Sequence, residues 1–485
     1  MDEVRRIFTN FSPAIASYPS PKAYDAAAKD YAASITKLSQ DVQDAIKQNP
    51  IESLKLVDPA ANSIGYLSVI DALLRGSTPP SIPRSLLLDE TLLFLLKFDP
   101  IQIRYVGPLF LSLLEDLGSL FSVRKPARLW NANDPSGSVF TSTHLVMAKL
   151  AYDANCFEPA LKVLDVDILF YPRHTQATRF EASNKLCDPD LEPHEYITAA
   201  SLTDVVKSTF ILEYHFIQAM IYVSRRDWPK AQIAFERVIG HPTKDKGVSV
   251  IMSESYKKWM LVGLLREGRP PSFPPYIANA IKSIYSGLSE AYSNVASLFT
   301  TDRASTLKEE FEKGQLVWEE DRNLALVGEV MASYQKWQVI NLHRIYRQVS
   351  ISQIRQTTLS AHTAERLKSD EEVLTLVSDM IESGMLKGQL QVGPTAEESY
   401  VTFHEVHGTM TEAEFAAEAA RSHSSIESLT KQYRATNERL SHTKEYARHV
   451  LLREHNRMDK DTDAGVGFDA HIEDEDLMTG VLGHA

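Results

Sequence analysis

Apolar residues recur at three- and four-residue steps over most of this chain, the spacing that lines one face of an α-helix. Ile281, Ile284, Tyr285, Leu288, Tyr292, Val295 and Leu298 form such a stripe and predict one amphipathic helix. The same periodicity predicts helices over Tyr66 to Leu74, Ser85 to Phe98, Ile101 to Phe121 and Leu324 to Ile345. Pro- and Gly-bearing stretches at Ser77 to Pro83, Pro126 to Ser138, His241 to Gly247 and Gly268 to Pro275 separate the helices, so antiparallel helix pairs are expected. One pattern occurs twice. Ala148, Ala151, Phe157, Ala160, Leu164 and Ile168 return 71 residues later as Ala219, Tyr222, Trp228, Ala231, Phe235 and Ile239. This spacing suits tetratricopeptide-like units, in which small residues let two helices approach and an aromatic fills the turn. Between the two copies, Glu181 to Asp204 carries Pro189 and Pro193 and reads as an exposed loop.

The periodicity changes near residue 349. Val349 to Ile354 leads from a short β-prone run into a helix, and Glu371 to Glu382 is amphipathic through Val373, Leu376, Val377, Met380 and Ile381. Gly384 ends that helix. Met385 to Gln391 and Tyr400 to Phe403 then alternate as two strands around Gly393-Pro394. Helix, helix and hairpin is the winged-helix order, and the run at Val349 would add a third strand. Beyond it, Thr411 to about His455 predicts a long polar helix with a thin stripe of Phe415, Ile426, Leu429, Tyr433, Leu440 and Val450. So narrow a stripe buries little within its own chain and calls for partners.

The predicted fold class is all-α with a small α+β winged helix: a tetratricopeptide-like helical-repeat solenoid, the winged-helix module and a long C-terminal helix. Its parts are N-terminal helical repeats over 1–125, a linker over 126–140, tetratricopeptide-like repeats over 141–337, a winged helix over 338–407, the helix over 411–456 and an acidic, disordered tail over 457–485. The candidate assembly surface comprises Val349, Ile351, Met385, Leu390, Tyr400 and Phe403 of the wing, with Phe415, Ile426, Leu429, Tyr433, Leu440 and Val450 of the helix.

Composition narrows the function. At 485 residues with 44% hydrophobic and 24% charged residues, the chain has the balance of a folded, globular protein of several packed segments. No apolar leader follows Met1, and charged pairs such as Asp89-Glu90 and Glu115-Asp116 interrupt the most hydrophobic stretches, so neither export nor membrane crossing is expected. Cys156 and Cys187 are too few for a disulfide framework; reduced thiols are expected, with Cys156 in the core. The net charge of −13 disfavours binding to phosphate backbones. From Met458 onward eight carboxylates face only Lys460, which concentrates part of that charge in the tail.

Chemistry-bearing motifs fail on spacing. His404-Glu405-Val406-His407 is one residue short of the zinc-protease pattern, which places both imidazoles on one helical face. Asp459-Lys460-Asp461-Thr462-Asp463 starts like a calcium loop, but Ala464 stands where the turn glycine belongs and Ala470 where the bidentate glutamate belongs. There is no Gly-rich phosphate loop, no Gly-x-Ser-x-Gly elbow, and no His-x-His pair with the downstream Ser and Asp of a metal-dependent isopeptidase. No catalytic residue, cofactor or metal ligand is expected. The would-be recognition helix carries Asp370, Glu371, Glu372, Asp379 and Glu382, with no Arg or Lys after Lys368, so a nucleic-acid-binding regulator is the remote alternative.

A helical repeat running into a winged helix and a C-terminal helix resembles the PCI architecture, which is shared by the proteasome lid, the COP-nine signalosome and initiation factor three. Phe157-Glu158-Pro159-Ala160-Leu161 with Leu164-Asp165-Val166-Asp167, and Glu254-Ser255-Tyr256-Lys257-Lys258 with Leu261-Val262, resemble the signalosome subunit-three family. Asp321-Arg322-Asn323 before Leu326-Val327, Met380-Ile381-Glu382-Ser383-Gly384 and Val401-Thr402-Phe403-His404 follow in the same order. The likeness runs from Thr141 to His404; the first 120 residues match only in helical character, and Glu181 to Asp204 and Ser360 to Ser369 look longer than the pattern. The resemblance implies a non-catalytic scaffold subunit, in cytoplasm and nucleus, of the complex that removes Nedd8 from cullins and so regulates cullin-RING ubiquitin ligases. Its partners would be other PCI and isopeptidase-fold subunits, with no nucleic acid, membrane or cofactor. A subunit of the proteasome lid or of initiation factor three is the nearest alternative.

Overall fold

The computed structural model describes residues 1–75, 82–120, 137–172, 186–189, 191, 193–243, 247–393, 398–403, 412–441 and 446–452. Residues 1–404 and 405–485 form two separate units. The first unit opens with α1 (Asp2–Thr9), α2 (Pro21–Ile35), α3 (Gln40–Gln48), α4 (Pro50–Lys55), α5 (Ser63–Leu74), α6 (Arg84–Lys97), α7 (Pro100–Ile103) and α8 (Gly107–Leu120). It continues with α9 (Ser142–Asp153), α10 (Glu158–Leu164), α11 (Pro193–Ala199), α12 (Ser208–Ser224), α13 (Trp228–Ile239) and α14 (Val250–Glu267). Then come α15 (Asn279–Leu288), α16 (Glu290–Phe299), α17 (Ala304–Lys313), α18 (Gln315–Glu320) and α19 (Leu324–Leu342). Local chemistry sets many of these ends. Ser20 caps α2 ahead of Pro21, Asn62 caps α5, and Ser249 caps α14, each side chain accepting a backbone N–H. Gly268 closes α14 at φ +66°, and a Cβ there would stand 2.5 Å from the Trp337 ring, so glycine is required twice over.

The 71-residue repeat is visible as two helix hairpins, α9–α10 and α12–α13. Ala148, Ala151, Ala160 and Leu164 in the first, and Ala219, Tyr222, Ala231 and Phe235 in the second, are all buried. The turns match as well. Asn155 (φ 51°) and Arg226 (φ 58°), 71 positions apart, adopt the left-handed conformation, and Arg322 (φ 56°) does so between α18 and α19. After each, an N–H closes onto the carbonyl five residues back: Cys156 to Ala151 at 3.0 Å, Asp227 to Tyr222 at 2.9 Å and Asn323 to Trp318 at 2.8 Å. The third hairpin thus repeats a device whose apolar spacing had drifted too far to be recognised. Successive hairpins share continuous cores, one running from Val4 to Ile221 and the next from Leu212 to Ala361. Stacking of this kind buries faces that no single hairpin could cover.

A polar seam crosses the first of these cores. Gln218 donates to the Leu164 carbonyl at 2.6 Å, and the His215 ring lies 2.9 Å from Gln218 Oε1 through Nδ1 and 2.9 Å from the Tyr171 hydroxyl through Nε2. Gln218 Oε1 can only accept, so Nδ1 carries the proton and Nε2 accepts from Tyr171. Tyr222 adds hydrogen bonds to the Leu164 carbonyl and to Asp165. At the surface the junction is bridged by ion pairs of Arg225 with Glu158, Lys230 with Asp165 (3.0 Å) and Arg237 with Asp167 (2.6 Å).

Several expectations change. The stripe from Ile281 to Leu298 is two helices, α15 and α16, because Ser289 leaves helical geometry at φ −133°, ψ 38°. The run from Ile101 is likewise split, into α7 and α8, ahead of Gly107-Pro108. In the stretch Glu181 to Asp204, whose residues 181–185, 190 and 192 lie outside the described residues, Leu186, Cys187, Tyr196, Ile197, Ala200 and Leu202 are buried rather than exposed. Arg104 holds this segment by donating to the Leu186 and Asp188 carbonyls at 3.0 and 2.7 Å. Cys187, not Cys156, is the buried thiol; Cys156 is half-buried and both are free. Of the proposed linker, 126–136 lie outside the described residues, while Val139 and Phe140 are buried, with Phe140 N–H bonded to the Phe170 carbonyl. The acidic tail lies outside the described residues. Among them, no helix is long and apolar enough to cross a membrane.

Candidate assembly surfaces

The winged helix grows out of α19, whose Val339 is already part of its core. β1 (Gln348–Ser350) follows, then α20 (Ile351–Thr357), α21 (Asp370–Glu382), β2 (Gly388–Gln391) and β3 (Tyr400–Phe403). Ser350 and Ser369 cap α20 and α21, accepting from the N–H groups of Gln353 and Glu372. Gly384, at φ +72°, follows α21 as its sequence position predicted. The sheet order is β1-β3-β2 and both pairings are antiparallel: Val349 sits opposite Val401, and Leu390 sits opposite Val401 from the other side. The last strand in sequence is therefore central, and β1 and β2 each have one side not paired within the sheet. Gly388 belongs at the β2–β3 contact because a Cβ there would stand 2.7 Å from the Thr402 carbonyl oxygen.

This topology separates the wing residues singled out from the sequence. Val349, Ile351 and Phe403 are buried in the small core with Ile354, Val373, Val377, Met380, Leu386 and Val401. Their side chains are unavailable to a partner, which corrects their placement on an assembly face: at so small a sheet, the alternate apolar residues are needed for its own core. Leu390 packs against that core half-buried, and Met385 and Tyr400 are half-buried. Among the described residues, β1 and β2 each keep one side unpaired within the sheet. The chain after α20, where Ser360 to Ser369 looks longer than the family pattern, packs on α19 and its core: Gln335 donates to Thr358, Gln338 accepts from the Leu359 N–H, and Ala361 is buried in the second core.

On α21, Glu371, Glu372, Asp379 and Glu382 are exposed, and Asp370 pairs with Arg355 at 3.0 Å. This outward face is negative and would repel phosphates. Among the described residues, no three His, Cys, Asp or Glu are grouped so as to hold a metal ion. His404 to His407 and the calcium-like stretch at Asp459 lie outside those residues.

The second unit contains α22 (Glu412–Ser441), with helical residues again at 446–452. Phe415, Ile426, Leu429 and Tyr433 are 66, 62, 61 and 71% exposed, Leu440 is exposed and Val450 half-buried. Their spacing is regular. Phe415, Leu429 and Val450 fall on one position of a seven-residue repeat and Ile426, Tyr433 and Leu440 on another, the arrangement that seats a helix against other helices. Leu451 and Leu452 extend the exposed apolar surface.

Comparison with known proteins agrees with this architecture. The family described as COP9 signalosome complex subunit 3, N-terminal helical repeats, matches residues 28–281. A Neurospora crassa protein named COP9 signalosome complex subunit 3 is 34% identical over the whole of both chains. An Emericella nidulans protein of the same name is 31% identical over 67% of this chain and 68% of its own. The likeness thus extends well before Thr141, into N-terminal helices where the sequence offered only helical character. Over its full length, the chain belongs to the COP9 signalosome complex subunit 3 family.

Proposed function

We propose that this chain is a scaffold subunit of a COP-nine signalosome, contributing assembly surfaces rather than catalytic groups to a complex that deneddylates cullins and so regulates cullin-RING ubiquitin ligases. The observation that carries the proposal is the exposed, heptad-spaced stripe of α22. Four large apolar side chains more than half exposed on one helix are costly in water and are the signature of a surface completed by other chains. Family membership supports the choice of complex. The partners would be other PCI and isopeptidase-fold subunits, in cytoplasm and nucleus, with helix packing on α22 and strand addition at β1 or β2 as the modes of contact.

Affinity purification of the tagged full chain from its source, followed by mass spectrometry, is expected to recover the other signalosome subunits. Recovery of proteasome-lid or initiation-factor subunits instead would overturn the assignment. Removing Thr411 onward is expected to release the chain from its partners while leaving the thermal unfolding of residues 1–404 unchanged.

A further inference from the structure

The three left-handed hairpin turns form a series. At the middle turn, Arg225 reaches back to Glu158 of the preceding hairpin, and Arg226 reaches forward to Glu329 on α19, 2.5 Å away. The third turn repeats the arrangement. Asp321 reaches back to Lys257 on α14 at 2.7 Å, and Arg322 occupies the forward position. Among the described residues, however, the Arg322 side chain makes no ion pair or hydrogen bond, although Glu319 and Glu320 stand beside it on α18. Among the described residues the winged helix supplies no partner to Arg322 either: its hydrogen bonds with α19 begin at Gln335, about 20 Å along the helix at roughly 1.5 Å per residue.

Residue choice at these turns is informative. A left-handed backbone is cheapest for glycine and next for asparagine, the residue at the first turn. At the second turn, arginine brings an ion pair to the next hairpin. At the third it makes no ion pair or hydrogen bond among the described residues, and a left-handed backbone at a non-glycine residue is uncommon enough to call for a reason. On α18 of the same hairpin, Leu316 is 79% exposed and Val317 is exposed. An exposed arginine and exposed apolar side chains on one hairpin have the composition of an interface anchor.

We propose that Arg322 is the docking residue of the last hairpin, and that its carboxylate is supplied by a helix of another subunit that covers Leu316 and continues the repeat stack. The occupant is a mixed-charge helix: its Asp or Glu meets Arg322 as Glu329 meets Arg226, and a basic residue meets Glu319 or Glu320. This inference rests on the reading of the chain as an assembly subunit.

The test uses the complex purified through the tagged full chain carrying Arg322→Lys, treated with a carbodiimide that joins amines directly to ion-paired carboxylates. The expected product is a cross-link between position 322 and an Asp or Glu of a different chain, absent from the isolated chain. In parallel, Arg322→Gly removes the side chain while relieving the turn. It is expected to leave the melting temperature equal or higher, yet to enter the complex about five-fold less well than wild type in co-expression, as loss of one charge-assisted contact implies. A complex that forms normally with position 322 unlinked, or linked only within this chain, overturns the inference alone, as does equal incorporation of Arg322→Gly. A chain that recovers no other subunit overturns the assembly reading and this inference with it.

Discussion

His215 offers the sharpest test of the packing described for the repeat core. Burial removes water from the ring and holds its pKa down at about 4, against 6.5 in the unfolded chain; the hydrogen bond to Gln218 opposes this shift without cancelling it, and Arg237 adds repulsion. The hydrogen-bond network is compatible with the neutral ring, in which Nδ1–H donates to Gln218 Oε1 and Nε2 accepts from the Tyr171 hydroxyl. Above pH 6.5 the ring is neutral in both states and the stabilisation is fully present. As pH falls, the unfolded chain takes up a proton that the native ring refuses, so stability is lost progressively until pH reaches about 4. At 1.36 kcal/mol per pKa unit, the loss is about 2 kcal/mol by pH 5 and about 3 kcal/mol at pH 4. Deuterium exchange at the His215 ring carbon, followed by mass spectrometry of the full chain across this range, gives the native titration directly. Urea unfolding of wild type and His215→Asn at pH 7.5 and pH 5 gives the energy: the wild-type advantage should shrink by about 2 kcal/mol at the lower pH. A ring that titrates at pH 6 or above, or an advantage equal at both pH values, would refute the buried neutral histidine.

Three further outcomes follow from the same structure. The Tyr214 hydroxyl is fully buried with no hydrogen-bond partner among the described residues, so Tyr214→Phe should raise stability by about 1 kcal/mol in urea unfolding; a loss of similar size would mean that the hydroxyl is satisfied. Asp321 accepts from both Lys257 and the Tyr292 hydroxyl at 2.7 Å in a mostly buried setting, and Asp321→Ala should cost about 2 to 4 kcal/mol. Burial works against the Lys257 charge, but its bonds to Asp321 and Glu254 prevail and raise its pKa above 10.5. That stabilisation is therefore fully present below pH 10.5 and lost as pH rises through the raised value, and the wild-type melting temperature should drop there more than that of Asp321→Ala. Finally, Ile426→Asp with Leu429→Asp should abolish co-purification of partner subunits while leaving the melting temperature of the isolated chain unchanged, since both side chains are exposed in it.

The sequence by itself determined the helical class, the first two hairpins of the repeat, the order of the winged helix, the stop at Gly384 and the thin stripe of α22. Each is written locally: a period of apolar residues, a capping side chain or a glycine where the backbone must turn left-handed. The tertiary structure decided the rest. Nothing between Gly388 and Phe403 announces that β3 pairs on both sides, so Val349 and Phe403 could be assigned to a face but not to a buried one. The run from Ile281 to Leu298 keeps its apolar spacing across Ser289, but only part of that stripe reaches the core: Tyr285, Tyr292 and Val295 are buried while Ile284 and Leu288 are exposed. Leu186, Cys187 and Tyr196 sit in a proline-marked stretch without helical period, and contacts with residues distant in the chain, among them Arg104 with the Leu186 and Asp188 carbonyls and Asp25 with the Cys187 N–H, fold it inward. The forward and backward reach of Arg225, Arg226 and Asp321 is likewise invisible before the hairpins stack. Periodicity reports which side of an element avoids water; which surface that side meets depends on partners distant in sequence, and so only the assembled chain supplies it.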